Sequence, residues 1–216
     1  MSTTIRLPLF PLAGPALFPF CAAPLHVFEP RYRALTADAL AGERRIGMAT
    51  VRPEALAEMP GDPPLFAIGC AGFIAQHERL ADGRYLLLLQ AIGRFRIQEE
   101  PPRPEGRLYR VAECELLSEP AGDGARAALQ REAVMRELRA AIARERGDAS
   151  DLSRLAGLED ARFASEVAQL LRIPGPEKQA LLEAESSLER LERIAQTLEF
   201  YRALTSAPSA PGTTVH

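Results

Sequence analysis

The side chains best suited to nucleophilic or metal chemistry in this sequence are few: Cys21, Cys70 and Cys114, His26, His77 and His216, and a single lysine, Lys178. The cysteines lie 49 and 44 residues apart, form no Cys-x-x-Cys pair, and are odd in number. That pattern suits small apolar core residues better than a disulfide framework. Metal sites need clustered ligands. His26 and His77 are isolated, and His77-Glu78-Arg79-Leu80-Ala81 lacks the second histidine of a zinc-protease helix. No metal or cofactor is expected. A Cys/His nucleophile pair would form only in the fold, so a cryptic hydrolase stays open as an alternative. A Ser-Lys dyad depends on Lys178, which sits one turn into a predicted helix beside Glu177 and is expected to be a solvated surface cation.

Glycine motifs fare no better. Gly42 and Gly47 have the spacing of a phosphate-binding loop, but Met48 and Ala49 stand where lysine and a hydroxyl are required. Gly122-Asp123-Gly124-Ala125-Arg126-Ala127 resembles a dinucleotide-binding turn. Asp123 would repel a pyrophosphate, and no parallel strand follows. It reads as a junction.

Charge excludes another class. Residues 1–118 carry 13 Arg against 13 acids, and the remainder carries 13 cations against 16 acids, so neither part has the basic excess of a phosphate-neutralising protein. RNA binding stays open as an alternative that this balance opposes, ahead of the cryptic hydrolase, and no nucleic-acid partner is expected. No run approaches the roughly 18 apolar residues of a membrane span. The opening residues lack a basic start before an apolar run, so no signal peptide is expected and the cytoplasm is the expected location.

The elements that must position these residues divide near residue 120. Fourteen of 18 prolines precede position 121, which restricts the first part to short extended segments. These are expected at Ile5–Phe10, Leu17–Phe20, Leu25–Phe28, Ile46–Val51, Leu65–Gln76, Arg84–Gln90, Arg94–Gln98 and Arg107–Leu117. Ala81-Asp82-Gly83 signals a hairpin. Tyr85-Leu86-Leu87-Leu88-Leu89, apolar at every position, predicts a strand covered on both faces. One helix interrupts them, with Pro30 in its first turn and Tyr32, Leu35, Ala39 and Leu40 as its buried stripe up to Gly42. Beyond residue 120 the period becomes helical: Val134, Met135, Leu138, Ala141 and Ile142 share one face, and Phe163, Val167, Leu170 and Leu171 another. Pro176 starts a helix through Leu182. Ser186 with Glu189 makes a capping box before a last helix faced by Leu188, Leu191, Ile194, Leu198 and Tyr201. The expected division is 1–120 β-rich, 121–205 helical, and 206–216 a disordered tail.

What remains is an apolar, proline-dense opening: Leu7-Pro8-Leu9-Phe10-Pro11-Leu12, Leu17-Phe18-Pro19-Phe20, and Phe28-Glu29-Pro30-Arg31-Tyr32-Arg33. Proline-interrupted, aromatic edges can pack on a barrel, and they also suit extended peptides. Glu29 is expected to cap the helix that follows or to pair with an arginine.

At these residues the chain resembles the Lon protease N-terminal, substrate-binding domain family. Asp82-Gly83-Arg84, Gly93-Arg94-Phe95-Arg96-Ile97, Tyr109-Arg110-Val111-Ala112 and Lys178-Gln179-Ala180-Leu181-Leu182-Glu183 with Arg190-Leu191 resemble later motifs of the same family, so the likeness runs along almost the whole chain. The resemblance implies an α+β fold, a PUA-like β-barrel followed by a C-terminal helical bundle. It implies a non-catalytic module, without the family's ATPase and peptidase domains, that recognises unfolded or tagged polypeptides as an adaptor or holdase. A protease or chaperone is the further partner. The expected peptide-binding residues are Phe18, Phe20, Arg31, Tyr32 and Arg33.

Overall fold

The computed structural model describes residues 3–13, 17–59, 61–120, 123–145 and 150–206. Strands β1 (Thr3–Leu12), β2 (Ala22–Val27), β3 (Arg45–Thr50), β4 (Ile68–Arg79), β5 (Tyr85–Glu99) and β6 (Val111–Leu116) form one sheet in the order β2-β5-β4-β3-β1-β6. An additional β5–β6 pairing closes the last five strands into a barrel. The long strand β5 makes this possible: its first half pairs with β2 and its second half with β6. Strand β2 is therefore an edge, appended outside the closed ring.

Phe95 fills the barrel together with Leu7, Leu9, Ala49, Ala71, Ala112 and Cys114. A ring at that point leaves no room on the facing strands. A Cβ on Gly69 would lie 2.6 Å from the Phe95 ring and 2.4 Å from the Met48 carbonyl oxygen, so the strand passes only as glycine.

Helix α1 (Pro30–Ala41) begins at the expected proline and buries Tyr32, Leu35, Thr36 and Ala39. Helices α2 (Gly124–Glu145), α3 (Ser150–Ala156), α4 (Asp160–Leu170), α5 (Gly175–Glu183) and α6 (Ser187–Ser206) make the second part. The serine half of the capping box forms as expected, with the Glu189 amide donating to Ser186 Oγ at 3.1 Å, while the Glu189 carboxylate reaches one residue further back and accepts from the Glu185 amide at 2.7 Å. One apolar cluster runs from Phe10, Leu17, Phe18 and Leu35 to Phe163, Val167, Leu181, Leu191 and Ile194, and so joins the two parts.

Several expectations are corrected. Leu17–Phe20 is a turn closed by the Cys21 amide on the Phe18 carbonyl, because Leu17 and Phe18 are drawn into the apolar cluster. The two segments expected at 84–98 are one strand. Ala71 pairs with Gly93 and Gly72 with Ala91, which leaves Ile92 bulged outward. Leu87 and Leu89 are buried while Leu86 is exposed, so β5 alternates here and only one of its faces is covered. Helix α3 and the 3-10 turn Pro53–Glu58 were unforeseen. Of the expected tail, Ser206 belongs to α6 and 207–216 lie outside the described residues.

Candidate functional site

The five residues expected to bind peptide separate into two groups. Phe18 is wholly buried, and its amide donates to the Gln169 side chain at 3.1 Å, pinning the turn against α4. Tyr32 is 4 % exposed and stacks on Phe10 with ring centroids 4.2 Å apart. Both are buried in the apolar cluster that joins the two parts. Arg31 is committed as well. Its guanidinium donates to Glu29 at 3.0 Å, to the Gly61 carbonyl at 2.9 Å and to the Met59 carbonyl at 2.6 Å, bracing the start of α1. Glu29 thus pairs with an arginine as expected, and its side chain makes no cap bond.

Phe20 and Arg33 remain. Phe20 is 47 % exposed and held at φ 65°, a left-handed conformation that a bulky side chain adopts only at a cost. Arg33 is half-buried and lies over the hairpin turn. A Cβ on Gly83, itself at φ 81°, would meet the Arg33 guanidinium at 2.2 Å. Among the described residues Arg33 forms no ion pair.

These two residues flank a surface that residue-by-residue reading missed. On the outer face of β2, β5 and β4 the register sets three rows side by side. They are Ala22, Gln90 and Phe73; Pro24, Leu88 and Gln76; and His26, Leu86 and Glu78. Gln90 reaches the Phe20 and Cys21 carbonyls at 3.4 and 3.1 Å, which places Phe20 at one end. Phe28, 59 % exposed, stands at the other end with its ring 5.9 Å from that of His26. Leu86 between them is 43 % exposed. Phe20, Phe28, Phe73 and Leu86 therefore lie on one face with Pro24 and Leu88, and Gln76, Gln90, His26 and Glu78 are set among them. Exposed apolar side chains gathered in this way mark interaction sites. The signal in the sequence was the unbroken Leu86–Leu89 run, whose even positions fall on the outer face, Leu86 exposed and Leu88 partly so.

The residues considered for catalysis occupy different ground. Burial pushes the Cys21 and Cys114 thiols up to about 12, and Cys70 higher still, opposite to what a thiolate nucleophile needs. Lys178 is not the surface cation expected: it is buried, and its ammonium donates to the Gln169 carbonyl at 2.8 Å. Burial lowers its pKa. No group of three or more His, Cys, Asp or Glu able to hold a metal occurs among the described residues. None of their helices is long and apolar enough to cross a membrane.

A second polar assembly lies where barrel and helices meet. Arg94 of β5 is buried and donates to the carbonyls of Leu182 (3.1 Å), Ala184 and Glu185 (3.1 Å). Arg190 of α6, wholly buried, donates to the Leu181 carbonyl at 3.0 Å and to Ser165 Oγ at 3.3 Å. One oxygen of Glu119 meets both guanidinium groups, at 3.3 Å from Arg94 and 2.6 Å from Arg190. The Arg94 side chain crosses from barrel to bundle and satisfies carbonyls at the end of α5.

A closed barrel with an appended edge strand and a following helical bundle is the architecture of Lon protease N-terminal domains. The N-terminal domain of the Mycobacterium avium complex Lon protease superposes with a TM-score of 0.72 at 18% identity, covering 90% of this chain and 98% of that one. A Lon N-terminal domain protein from Xanthomonas campestris superposes at 0.58 with 23% identity, covering 94% and 99%. In sequence, the model of the ATP-dependent protease La (LON) substrate-binding domain matches residues 6–199, and the chain belongs to that family. Relatives include Lon protease 1 of Sorangium cellulosum, 33% identical over 92% of this chain and 24% of its own length, and the Lon protease of Trichlorobacter lovleyi, 30% identical over 89% and 23%. The chain spans about a quarter of the length of these relatives.

Proposed function

We propose that this protein recognises non-native polypeptide segments without catalysing a reaction on them, and that the outer face of β2, β5 and β4 receives those segments. Membership of a substrate-binding family supports the class of ligand. The observation that carries the site is the apolar face from Phe20 to Phe28 with Arg33 at its rim. Of the five expected residues Phe20 and Arg33 are kept, and Phe28, Phe73 and Leu86 take the place of Phe18, Arg31 and Tyr32. On this reading residues 1–120 and 121–205 are two units of one cytoplasmic adaptor or holdase.

Three or four client side chains set on this face would contribute roughly 1.5–3 kcal/mol each. At least about 4 kcal/mol is lost in association, which leaves at most about 8 kcal/mol, a Kd of about micromolar at the tightest and about millimolar where about 4 kcal/mol remains. Weak single-site binding suits the sampling of many clients and calls for several contacts to retain one. Fluorescence titration with a dye-labelled, permanently unfolded polypeptide tests the reading. Saturable binding in that range is expected. A signal that stays flat up to millimolar protein, from a chain that melts cooperatively, contradicts it.

A further inference from the structure

The face described above is bordered on one side by the free edge of β2, and that edge has a hydrogen-bond pattern of its own. The Ala91 amide donates to the Cys21 carbonyl at 2.9 Å, and the β2–β5 register places Ala23 opposite Leu89, Leu25 opposite Leu87 and Val27 opposite Tyr85. Bonded pairs alternate along an antiparallel ladder. The odd residues of β2 therefore turn their N–H and C=O groups to β5, and Ala22, Pro24 and His26 turn theirs to the open side. Pro24 agrees with this phase: its missing N–H falls where no ladder bond is lost. Every residue from Ala22 to His26 is at least partly exposed. Among the described residues no backbone or side-chain hydrogen bond reaches that second edge. Two donors, the amides of Ala22 and His26, and three carbonyl acceptors stand free over about 13 Å of strand.

We propose that β2 captures its client by strand addition: an extended segment of about five residues pairs with the open edge and lays its alternate side chains beside Pro24, Phe20 and Phe28. This rests on the polypeptide-binding reading above and adds the mode of recognition. Charge selects the segment further. Glu29 holds Arg31 and Asp82 holds Arg84. That leaves Arg33, over the Gly83 turn, as a cation without an ion pair of its own among the described residues at the Phe28 end, near Asp82 and with Glu78 on the face itself. An apolar segment with an acidic residue toward that end is the matched occupant.

The experiment is amide hydrogen exchange by NMR on the full chain, with and without a synthetic ten-residue peptide that alternates Val with Ser and carries one Asp. In the free protein the amides of Ala23, Leu25 and Val27 should be protected and those of Ala22 and His26 should exchange freely. Peptide at saturation should slow Ala22 and His26 at least about tenfold, following its occupancy. His26→Pro, which removes an outward N–H and no ladder bond, should weaken peptide binding. If the peptide binds while Ala22 and His26 stay unprotected, strand addition is wrong and the polypeptide-binding reading stands. If the peptide does not bind at all, both fail. Concentration-dependent protection without peptide, with a dimer in sedimentation, would assign the edge to a second copy of the chain and overturn the proposal.

Discussion

Two regions of this molecule invert the usual distribution of polar and apolar groups. Where the barrel meets the helices, two arginines and a glutamate are buried together; on the outer face of β2, β5 and β4, three phenylalanines and a leucine are exposed. In the first arrangement each guanidinium meets main-chain carbonyls as well as the carboxylate, so burial leaves only Arg94 Nε and Glu119 Oε2 of the three side chains without a hydrogen-bond partner among the described residues. The second has no such compensation within the described chain. The polar groups of the joint are largely matched within the chain and the apolar groups of the face are not, which is why function is assigned to the face.

The comparison is broken most severely at the joint. Replacing Arg190 with Met leaves Glu119 paired only with Arg94 and frees the Leu181 carbonyl. The expected loss is about 3–5 kcal/mol, read by urea unfolding. A loss below about 1 kcal/mol would mean that the clasp contributes little. Phe20→Gly sharpens the contrast from the other side. Glycine relieves the left-handed backbone, so stability should rise by about 1 kcal/mol while polypeptide affinity falls. If stability falls instead, the ring packs in a way its exposure hides.

A smaller effect concerns acid. Burial raises the Glu166 pKa, but hydrogen bonds from Arg154 and Arg162 outweigh it and hold the carboxyl below its usual 4.5. A depressed folded-state pKa contributes stability above the unfolded value and loses it as pH falls through the folded one. Both arginines are half exposed, so the contribution should be small and salt-sensitive. Unfolding curves of the wild type and Glu166→Gln should converge as pH drops below 4.5. A constant offset through that range would assign the difference to packing.

Much of the fold was legible because its signals are local. Pro30 and Gly42 bracket α1, Asp82-Gly83 turns the hairpin, and Ser186 with Glu189 starts α6. The joint was not legible. Arg190 and Glu119 lie 71 residues apart and Arg94 and Ala184 lie 90 apart, and the acceptors are largely carbonyls, which no side-chain pattern announces. Lys178 was misread for the same reason: its partner is the Gln169 carbonyl. Of the site, the aromatic character of the opening was visible, but which rings point outward depends on the turn before β2 and on the apolar cluster it packs into. Phe18 and Phe20 are two residues apart, yet one is wholly buried and the other half exposed.

The most direct test sets the two regions against each other in one titration. Dye-labelled unfolded polypeptide is titrated against the wild type, a Phe28→Ser/Leu86→Ser variant and Arg190→Met, at a temperature where all three are shown to be folded. The account predicts that the face variant loses at least about tenfold in affinity, or about 1.4 kcal/mol, while the joint variant binds within about twofold of the wild type. Equal binding by the face variant and the wild type would contradict it.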